Sequence, residues 1–373
     1  MKKIISVIMA VILVTISMHG CSSSKTMKIG LMGTFSGPTR GMSESGKRGF
    51  YIAVDEINSN GGIKDRQIEV VEKNDLNDSE IALEITEAFH DENIDIVVGP
   101  FSSTIMTSIY DYINENKMLF ISPVVNAMTF HGKDDYLILM NSDAATQSNL
   151  IYDMATKNGN TDFIFAYDSS NKAFSNALLD SLKSKTDDQG GSVSVEIEFN
   201  GSSSSVGQTV LEELNSYDYK NKCLFLVATG AVSSVIISEM RLNGIDIDIY
   251  TSAWTNSQDF FEIGGKFIEG TYMISPVDYM GTQKRFTEFR ERYLNLYGSE
   301  PTMGSVFAYE TMITIEDALS STNSVKPNIL KSKILEIGSV TGLQNNYEIN
   351  EFGDANREYF PMIVINGEMI RLD

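Results

Sequence analysis

Two observations in the sequence predict an α/β fold with two doubly wound lobes. Short apolar runs, mostly β-branched or aromatic, alternate along the chain with segments of helical periodicity. This alternation is typical of parallel sheets with crossover helices. The chain has 373 residues and more strand candidates than one sheet comfortably holds, so we expect two such sheets rather than one.

Most of the predicted strands are bounded by Gly, Asn or Asp, which favour turns. They cover residues 28–32, 68–71, 94–98, 118–121, 136–140, 163–167, 193–197, 224–228, 247–251, 270–274 and 362–365. Between them, residues 46–58 and 80–90 place apolar side chains at helical spacing. The low-complexity patch 201–205 is expected to be a surface loop.

The N-terminus is typical of a lipoprotein signal, with two lysines followed by an apolar core at 4–16 and by Gly20-Cys21. The core is shorter than the roughly 20 residues that a membrane helix needs. We therefore expect residues 1–20 to be removed, Cys21 to carry lipid, and 21–25 to form a tether. The protein would then be extracytoplasmic and held at the cell membrane. The alternative is a short N-terminal anchor helix.

The composition argues against nucleic acid, disulfides and metals. The formal net charge of −21 repels phosphate backbones. With Cys21 committed to lipid, Cys223 has no disulfide partner, and its apolar strand-like surroundings predict a buried inert thiol. The three histidines lack ligand spacing, so we expect neither a metal nor another cofactor.

Ligands of open parallel sheets bind outside the carboxyl ends of the strands. The turns at these ends cover residues 99–104, 122–126, 168–175, 229–231 and 252–256. Gly-x-Ser-x-Gly, a P-loop, His-Glu-x-x-His and Cys–His pairs are all absent from the sequence. We therefore expect a binding protein, with an enzyme as a remote alternative.

Six short motifs lie in a characteristic order along the chain. They read SGP, AVDEINSNGGI, VGPFSS, ISP, GGKFIEG and YGSEP, at 36–38, 53–63, 98–103, 121–123, 264–270 and 297–301. In this order they resemble the type I periplasmic solute-binding proteins. The nearest branch is the branched-chain amino-acid (Leu/Ile/Val) receptors of ABC transporters, in lipoprotein form.

The resemblance implies two α/β lobes joined by three hinge strands, with a cleft that closes on one ligand. It assigns residues 26–141 plus 277–341 to the N-terminal lobe and 142–276 plus 342–373 to the C-terminal lobe. The implied function is to bind an amino acid or similar small carboxylate for an ABC permease. We expect a monomer. The alternative is a sensory receptor of the same fold coupled to a signalling partner.

In the first lobe, the resemblance implies that Ser103 binds the ligand carboxylate at a helix start, where unpaired N–H groups attract anions. Ser102 either caps this helix or joins the site. The backbone of Val124 and the side chain of Asn126 would face the carboxylate and amine of the ligand. Phe174 would stack on the ligand from the second lobe, or else pack under its own helix.

Thr229 and Gly230 occupy a strand end where related receptors often have an aromatic residue, which suggests a differently shaped pocket or an ordinary helix-start turn. Trp254 would stack on the ligand or belong to the core. Related receptors use a glutamate near here to pair with the ligand ammonium, but this chain has Ala253. A buried ammonium without a partner costs several kcal/mol, so either another acid serves or the ligand is not a standard amino acid.

The loop after the first strand faces the cleft in this family. It contains Arg40, which could pair with a ligand carboxylate or lie on the surface, and Met42, which replaces the usual aromatic residue. Tyr279 and Tyr309 are weaker candidates for the cleft, since core packing is the better explanation for both.

Overall fold

The computed structural model describes residues 25–219 and 221–372. The predicted signal segment 1–20, the predicted lipid site Cys21 and residues 22–24 of the tether lie outside the described residues. Within the described part of the chain, no helix combines the length and the apolar character needed to cross a membrane.

The described residues form two main sheets and one small sheet. The strands are β1 Lys25–Gly33, β2 Arg66–Asn74, β3 Ile96–Val98, β4 Leu119–Ser122, β5 Leu137–Leu139, β6 Asp162–Asp168, β7 Ser192–Phe199, β8 Cys223–Val227, β9 Ile249–Thr251, β10 Tyr272–Ser275, β11 Ser339–Thr341, β12 Asn346–Ile349, β13 Ala355–Asn356, β14 Phe360–Ile365 and β15 Glu368–Arg371.

The helices alternate with these strands. They are α1 Gly41–Ser59, α2 Ser79–Asp91, α3 Ser103–Glu115, α4 Ala144–Lys157, α5 Lys172–Gln189, α6 Val206–Asn215, α7 Gly230–Leu242, α8 Gln258–Gly264, α9 Lys284–Tyr297, α10 Met303–Ser320 and α11 Pro327–Ile337.

The first lobe is built on a parallel sheet of order β2-β1-β3-β4-β5. Strands β3, β4 and β5 are buried along their whole length, because helices cover both faces of the sheet. Helices α1, α10 and α11 pack on one face, and α2 and α3 pack on the other.

The second lobe is built on a sheet of order β15-β14-β10-β9-β8-β6-β7. Its strands from β10 to β7 are parallel, and β14 and β15 add an antiparallel edge. Helices α4 and α5 cover one face, while α6, α7 and α8 cover the other. The predicted α/β fold with two doubly wound lobes is therefore confirmed.

The chain passes between the lobes three times: after β5, after β10, and between β13 and β14. Near the third crossing, β11, β12 and β13 form a small antiparallel sheet, and Leu139 pairs with Asp354. The boundary predicted after residue 341 falls between β11 and β12, which pair with each other. This pairing keeps 339–356 together beside the first lobe.

A buried ion pair fixes the crossings. Arg357 Nη1 lies 2.6 Å from Glu310 Oε2, and both side chains are less than 10% exposed. The guanidinium group lies between two aromatic rings, 3.5 Å from the ring centre of Tyr347 and 3.8 Å from that of Phe307. Its Nε donates to the Met140 carbonyl oxygen at 2.6 Å. The first and third crossings are thus tied together and to helix α10.

The predicted elements match the structure closely. Each of the eleven predicted strands overlaps an observed one, the two helical ranges lie within α1 and α2, and residues 201–205 form a loop. Strands β11, β12, β13 and β15 were not predicted. Cys223 is buried as expected, and burial raises the pKa of its thiol, which keeps the thiol protonated.

Helices α1 and α10 pack against each other at close range, and a glycine substitution tests this contact. A Cβ at Gly49 would lie 1.9 Å from the Ser305 carbonyl oxygen. We expect Gly49→Ala to lower the free energy of unfolding by about 1–3 kcal/mol, because the two helices must separate. The measurement is urea unfolding followed by circular dichroism.

The control is Gly41→Ala at the start of the same helix, where the nearest atom to the new Cβ would be 3.6 Å away. It should leave the stability unchanged or raise it by up to about 1 kcal/mol. Equal stability of the two variants would contradict the close helix crossing.

Candidate functional site

A small pocket lies between the two lobes, at the carboxyl ends of their strands. Its free space, mouth included, is about 310 Å³. Six residues predicted from sequence line it, together with five others; the lining consists of Met42, Phe101, Ser103, Val124, Asn126, Asn141, Gln147, Asn171, Phe174, Trp254 and Met303. The structure therefore brings most of the predicted site residues into one place.

Ser103 and Asn126 form the polar end of the pocket. Ser103 is the first residue of α3, so the unpaired N–H groups and the partial positive charge of a helix start lie here. The Asn126 backbone N–H donates to Ser103 Oγ at 3.4 Å. The Asn126 side chain is buried, and its Nδ2 has no partner among the described residues. The arrangement suits an anionic oxygen.

Two further polar residues, Asn141 and Gln147, form the floor of the pocket at the hinge, and Tyr359 supports them from behind. Tyr359 Oη donates to Asn141 Oδ1 at 2.6 Å, and burial raises the pKa of Tyr359, which keeps this hydroxyl a donor. Asn141 Nδ2 donates to the Val124 carbonyl oxygen at 3.0 Å. Gln147 Oε1 accepts from the Ala253 N–H at 3.2 Å. These bonds hold the amides in fixed orientations.

The remaining wall of the pocket is apolar. The rings of Phe174 and Trp254 meet edge to face, with centroids 6.0 Å apart. Met42, Phe101 and Met303 complete this wall. The wall belongs to one hydrophobic cluster that runs through both lobes. Such a surface suits a ligand with an aromatic or branched aliphatic body.

Direct hydrogen bonds join the lobes beside the pocket. Asn171 Oδ1 accepts from Thr104 N at 3.1 Å and from Ser102 Oγ at 3.3 Å. The Ala173 N–H donates to Thr104 Oγ1 at 3.1 Å, and Asn77 Nδ2 donates to the Ser170 carbonyl oxygen at 3.1 Å. We call these four contacts the inter-lobe bonds. They hold the cleft in a closed state.

Four predicted residues lie outside the pocket lining. Ser102 caps α3 and takes part in the inter-lobe bonds. Arg40 is exposed at the cleft mouth, 4.0 Å from Asp259. Thr229 caps α7, and Gly230 packs so closely on Ser257 that a Cβ would lie 2.1 Å from its Oγ. The first turn of α7 thus faces α8 rather than the pocket.

Tyr279 and Tyr309 also lie away from the pocket. Tyr279 donates to Asn256 Oδ1 at 3.3 Å and lines a separate cavity of about 920 Å³ between α8 and residues 299–302. Tyr309 donates to Glu56 Oε2 at 2.6 Å. Apart from the weaker candidate Tyr279, the larger cavity contains none of the predicted ligand residues, so the smaller pocket is the candidate site.

Sequence reasoning did not select five residues of the lining as ligand residues: Phe101, Asn141, Gln147, Asn171 and Met303. Asn141 follows the predicted strand 136–140 directly, so the strand-end rule could have found it. Phe101 lies in a turn that the same rule had marked. Gln147 and Met303 lie in helices and join the pocket only because the hinge brings those helices there.

The pocket lining contains no ionisable side chain. Elsewhere among residues 25–219 and 221–372, no cluster of three His, Cys, Asp or Glu side chains could hold a metal ion. The arrangement offers hydrogen-bond donors, fixed dipoles and apolar surface, which are the elements of a binding site.

The fold and the cleft define a two-lobed solute-binding protein, and comparisons with known proteins agree. The family model for periplasmic binding proteins matches residues 26–367. The chain therefore belongs to the periplasmic binding protein family. The family and the fold are those of solute-binding proteins, not of enzymes.

Individual relatives cover nearly the whole chain. The chain is 22% identical to a Leu/Ile/Val-binding protein homolog 2 of Brucella abortus, over 97% of this chain and 96% of that protein. The solved structure of the branched-chain amino acid binding protein LivJ from Streptococcus pneumoniae, in complex with isoleucine, matches with a TM-score of 0.80 and 20% identity, over 93% and 100% of the chains. A solute-binding protein from R. palustris in complex with benzoate matches with a TM-score of 0.83 and 15% identity, over 93% and 95%.

The inter-lobe bonds can be tested through Asn171, whose amide oxygen accepts two of them. Asn171→Ala should destabilise the closed state by about 1–3 kcal/mol, because it leaves Ser102 and Thr104 without their acceptor. Small-angle scattering of the ligand-free protein should then report a larger radius of gyration.

The control is Asn160→Ala, since the Asn160 side chain donates to Asp248 and Tyr250, both within the second lobe. Its radius of gyration should equal that of the unmodified protein. An unchanged radius for Asn171→Ala would show that the inter-lobe bonds do not hold the cleft closed.

Proposed function

We propose that this protein is the extracytoplasmic solute-binding lipoprotein of an ABC importer and binds an amino acid or similar small carboxylate between its lobes. One observation carries the proposal. The start of α3 at Ser103 meets the Nδ2 of Asn126, which lacks a partner in the described part of the chain, in a pocket that both lobes enclose. Both groups attract a carboxylate oxygen.

The known relatives support a ligand of this kind. The Brucella abortus relative bears the name of a Leu/Ile/Val-binding protein, and the two solved structures contain isoleucine and benzoate. These two ligands share one carboxylate and an apolar body. We therefore expect Phe174 and Trp254 to contact the body of the solute while Ser103 and Asn126 bind its carboxylate.

We further propose that closure of the lobes signals occupancy to a permease. A hinge motion converts a binding event into a change of shape that a partner can recognise. We place the lobes at 26–141 plus 277–356 and at 142–276 plus 357–373, because the pairing of β11 with β12 moves the third crossing past residue 341.

The carboxylate assignment predicts the effect of Ser103→Ala. Loss of the hydroxyl should weaken binding of a carboxylate ligand by about 1–3 kcal/mol, the cost of removing a hydrogen-bond partner from a charged group. Isothermal titration calorimetry measures this difference.

Ser108→Ala is the matched control, because Ser108 lies in the same helix and donates only to the Ile105 carbonyl oxygen. Its affinity for the ligand should equal that of the unmodified protein. If Ser103→Ala also kept full affinity, the carboxylate assignment would be wrong.

The lipid anchor predicts different behaviour for the two cysteines. Cys21→Ser should abolish incorporation of labelled palmitate and release the protein from the membrane fraction, because the thiol of the predicted lipid site is lost. Cys223→Ala should keep both the label and the membrane association, since that thiol is buried in β8. Palmitate retained in Cys21→Ser would refute the anchor.

A further inference from the structure

We propose that the pocket selects an apolar monocarboxylate that carries no ammonium group. This inference rests on the proposed function, because it specifies the solute of the same site. The inference concerns the ammonium group, which is the one chemical difference between an amino acid and the same acid without its amine, here called the plain acid.

The pocket has no charge to pair with an ammonium. None of its eleven lining residues is ionisable. A buried ammonium without a carboxylate partner costs several kcal/mol. The fully buried acids Asp75 and Asp168, at strand ends, do not line the pocket. Both are bound through Oδ1, which accepts from Thr34 Oγ1 in Asp75 and from the Ser170 N–H in Asp168, while the Oδ2 of each has no partner among the described residues.

The neutral acceptors of the pocket are already engaged. Asn141 Oδ1 accepts from Tyr359, and Gln147 Oε1 accepts from the Ala253 N–H. Asn171 Oδ1 accepts two inter-lobe bonds. Three of the four amide oxygens that line the pocket therefore have donors from the protein itself. An ammonium brings three more donors to a site with few acceptors left.

Donors, by contrast, remain available. Ser103 Oγ accepts from the Asn126 N–H, which leaves its proton for another acceptor, and Asn126 Nδ2 has no partner among the described residues. The Val124 carbonyl oxygen, the backbone acceptor beside them, already receives Asn141 Nδ2. The surplus of donors at this end matches a carboxylate and disfavours an adjacent ammonium.

Two matched ligand pairs test the inference on the unmodified protein. They are leucine with 4-methylpentanoate, and phenylalanine with 3-phenylpropanoate; each pair differs only by the amine. We expect the plain acid of at least one pair to bind about 10-fold or more tightly than its amino acid, as measured by calorimetry.

The outcomes separate the inference from the proposed function. If the amino acids bind as tightly as the plain acids or more tightly, and Ser103→Ala weakens them, the proposed function stands and the selectivity is refuted. If no member of either pair binds, and benzoate also fails to bind, both the carboxylate site and the selectivity are refuted.

A variant with nearly unchanged shape gives a second test. Asn126→Asp places a charge at the donor end of the pocket, so the affinity for the plain acid should fall about 10-fold or more. The discrimination, which is the ratio of the affinity for the plain acid to that for the amino acid, should also fall. Asn323→Asp makes the same change of charge at the surface, beside Lys64, and should alter neither value. Unchanged discrimination in Asn126→Asp, with native thermal stability, would contradict the proposed selectivity.

Discussion

The buried ion pair between Arg357 and Glu310 governs the geometry of the hinge. Two charges away from water are stable only when they are paired and hydrogen-bonded. Arg357 satisfies this condition by bonding Glu310 and the Met140 carbonyl oxygen. Asn141 follows Met140 directly, and Tyr359 lies two residues after Arg357; the Tyr359 hydroxyl donates to Asn141 Oδ1 and orients this residue of the pocket floor. The pocket therefore depends on a charge interaction outside its own lining.

The sequence predicts most of the fold because its signals are strong where helices cover parallel strands. Buried strands such as Leu119–Ser122 and Cys223–Val227 are continuous apolar runs between turn residues. The strands that were not predicted are antiparallel and short. Ser339–Thr341 and Ala355–Asn356 have only three and two residues, and each contains a single buried apolar residue beside exposed polar ones, so no periodicity distinguishes them from loops.

The position of a residue relative to the strand ends explains which residues of the site the sequence predicts. Ser103, Val124 and Asn126 follow parallel strands directly, and the edge of the sheet brings them together. Gln147 and Met303 reach the pocket through the hinge, and nothing in their local sequence indicates this. Thr229 and Gly230 also follow a strand, yet the adjacent helix α8 occupies the space they face. Strand order identifies the region, while helix packing decides which turns remain open.

The inter-lobe bonds have a consequence for the affinity of the site. Asn171, Thr104 and their partners bond to each other across the cleft and belong to the closed shape. A solute that prefers the closed shape adds the difference between its affinities for the two shapes. The measured dissociation constant is therefore divided between residues that touch the solute and residues that touch only each other. A substitution at Asn77, which lies outside the pocket lining, would change that constant through the shape equilibrium alone.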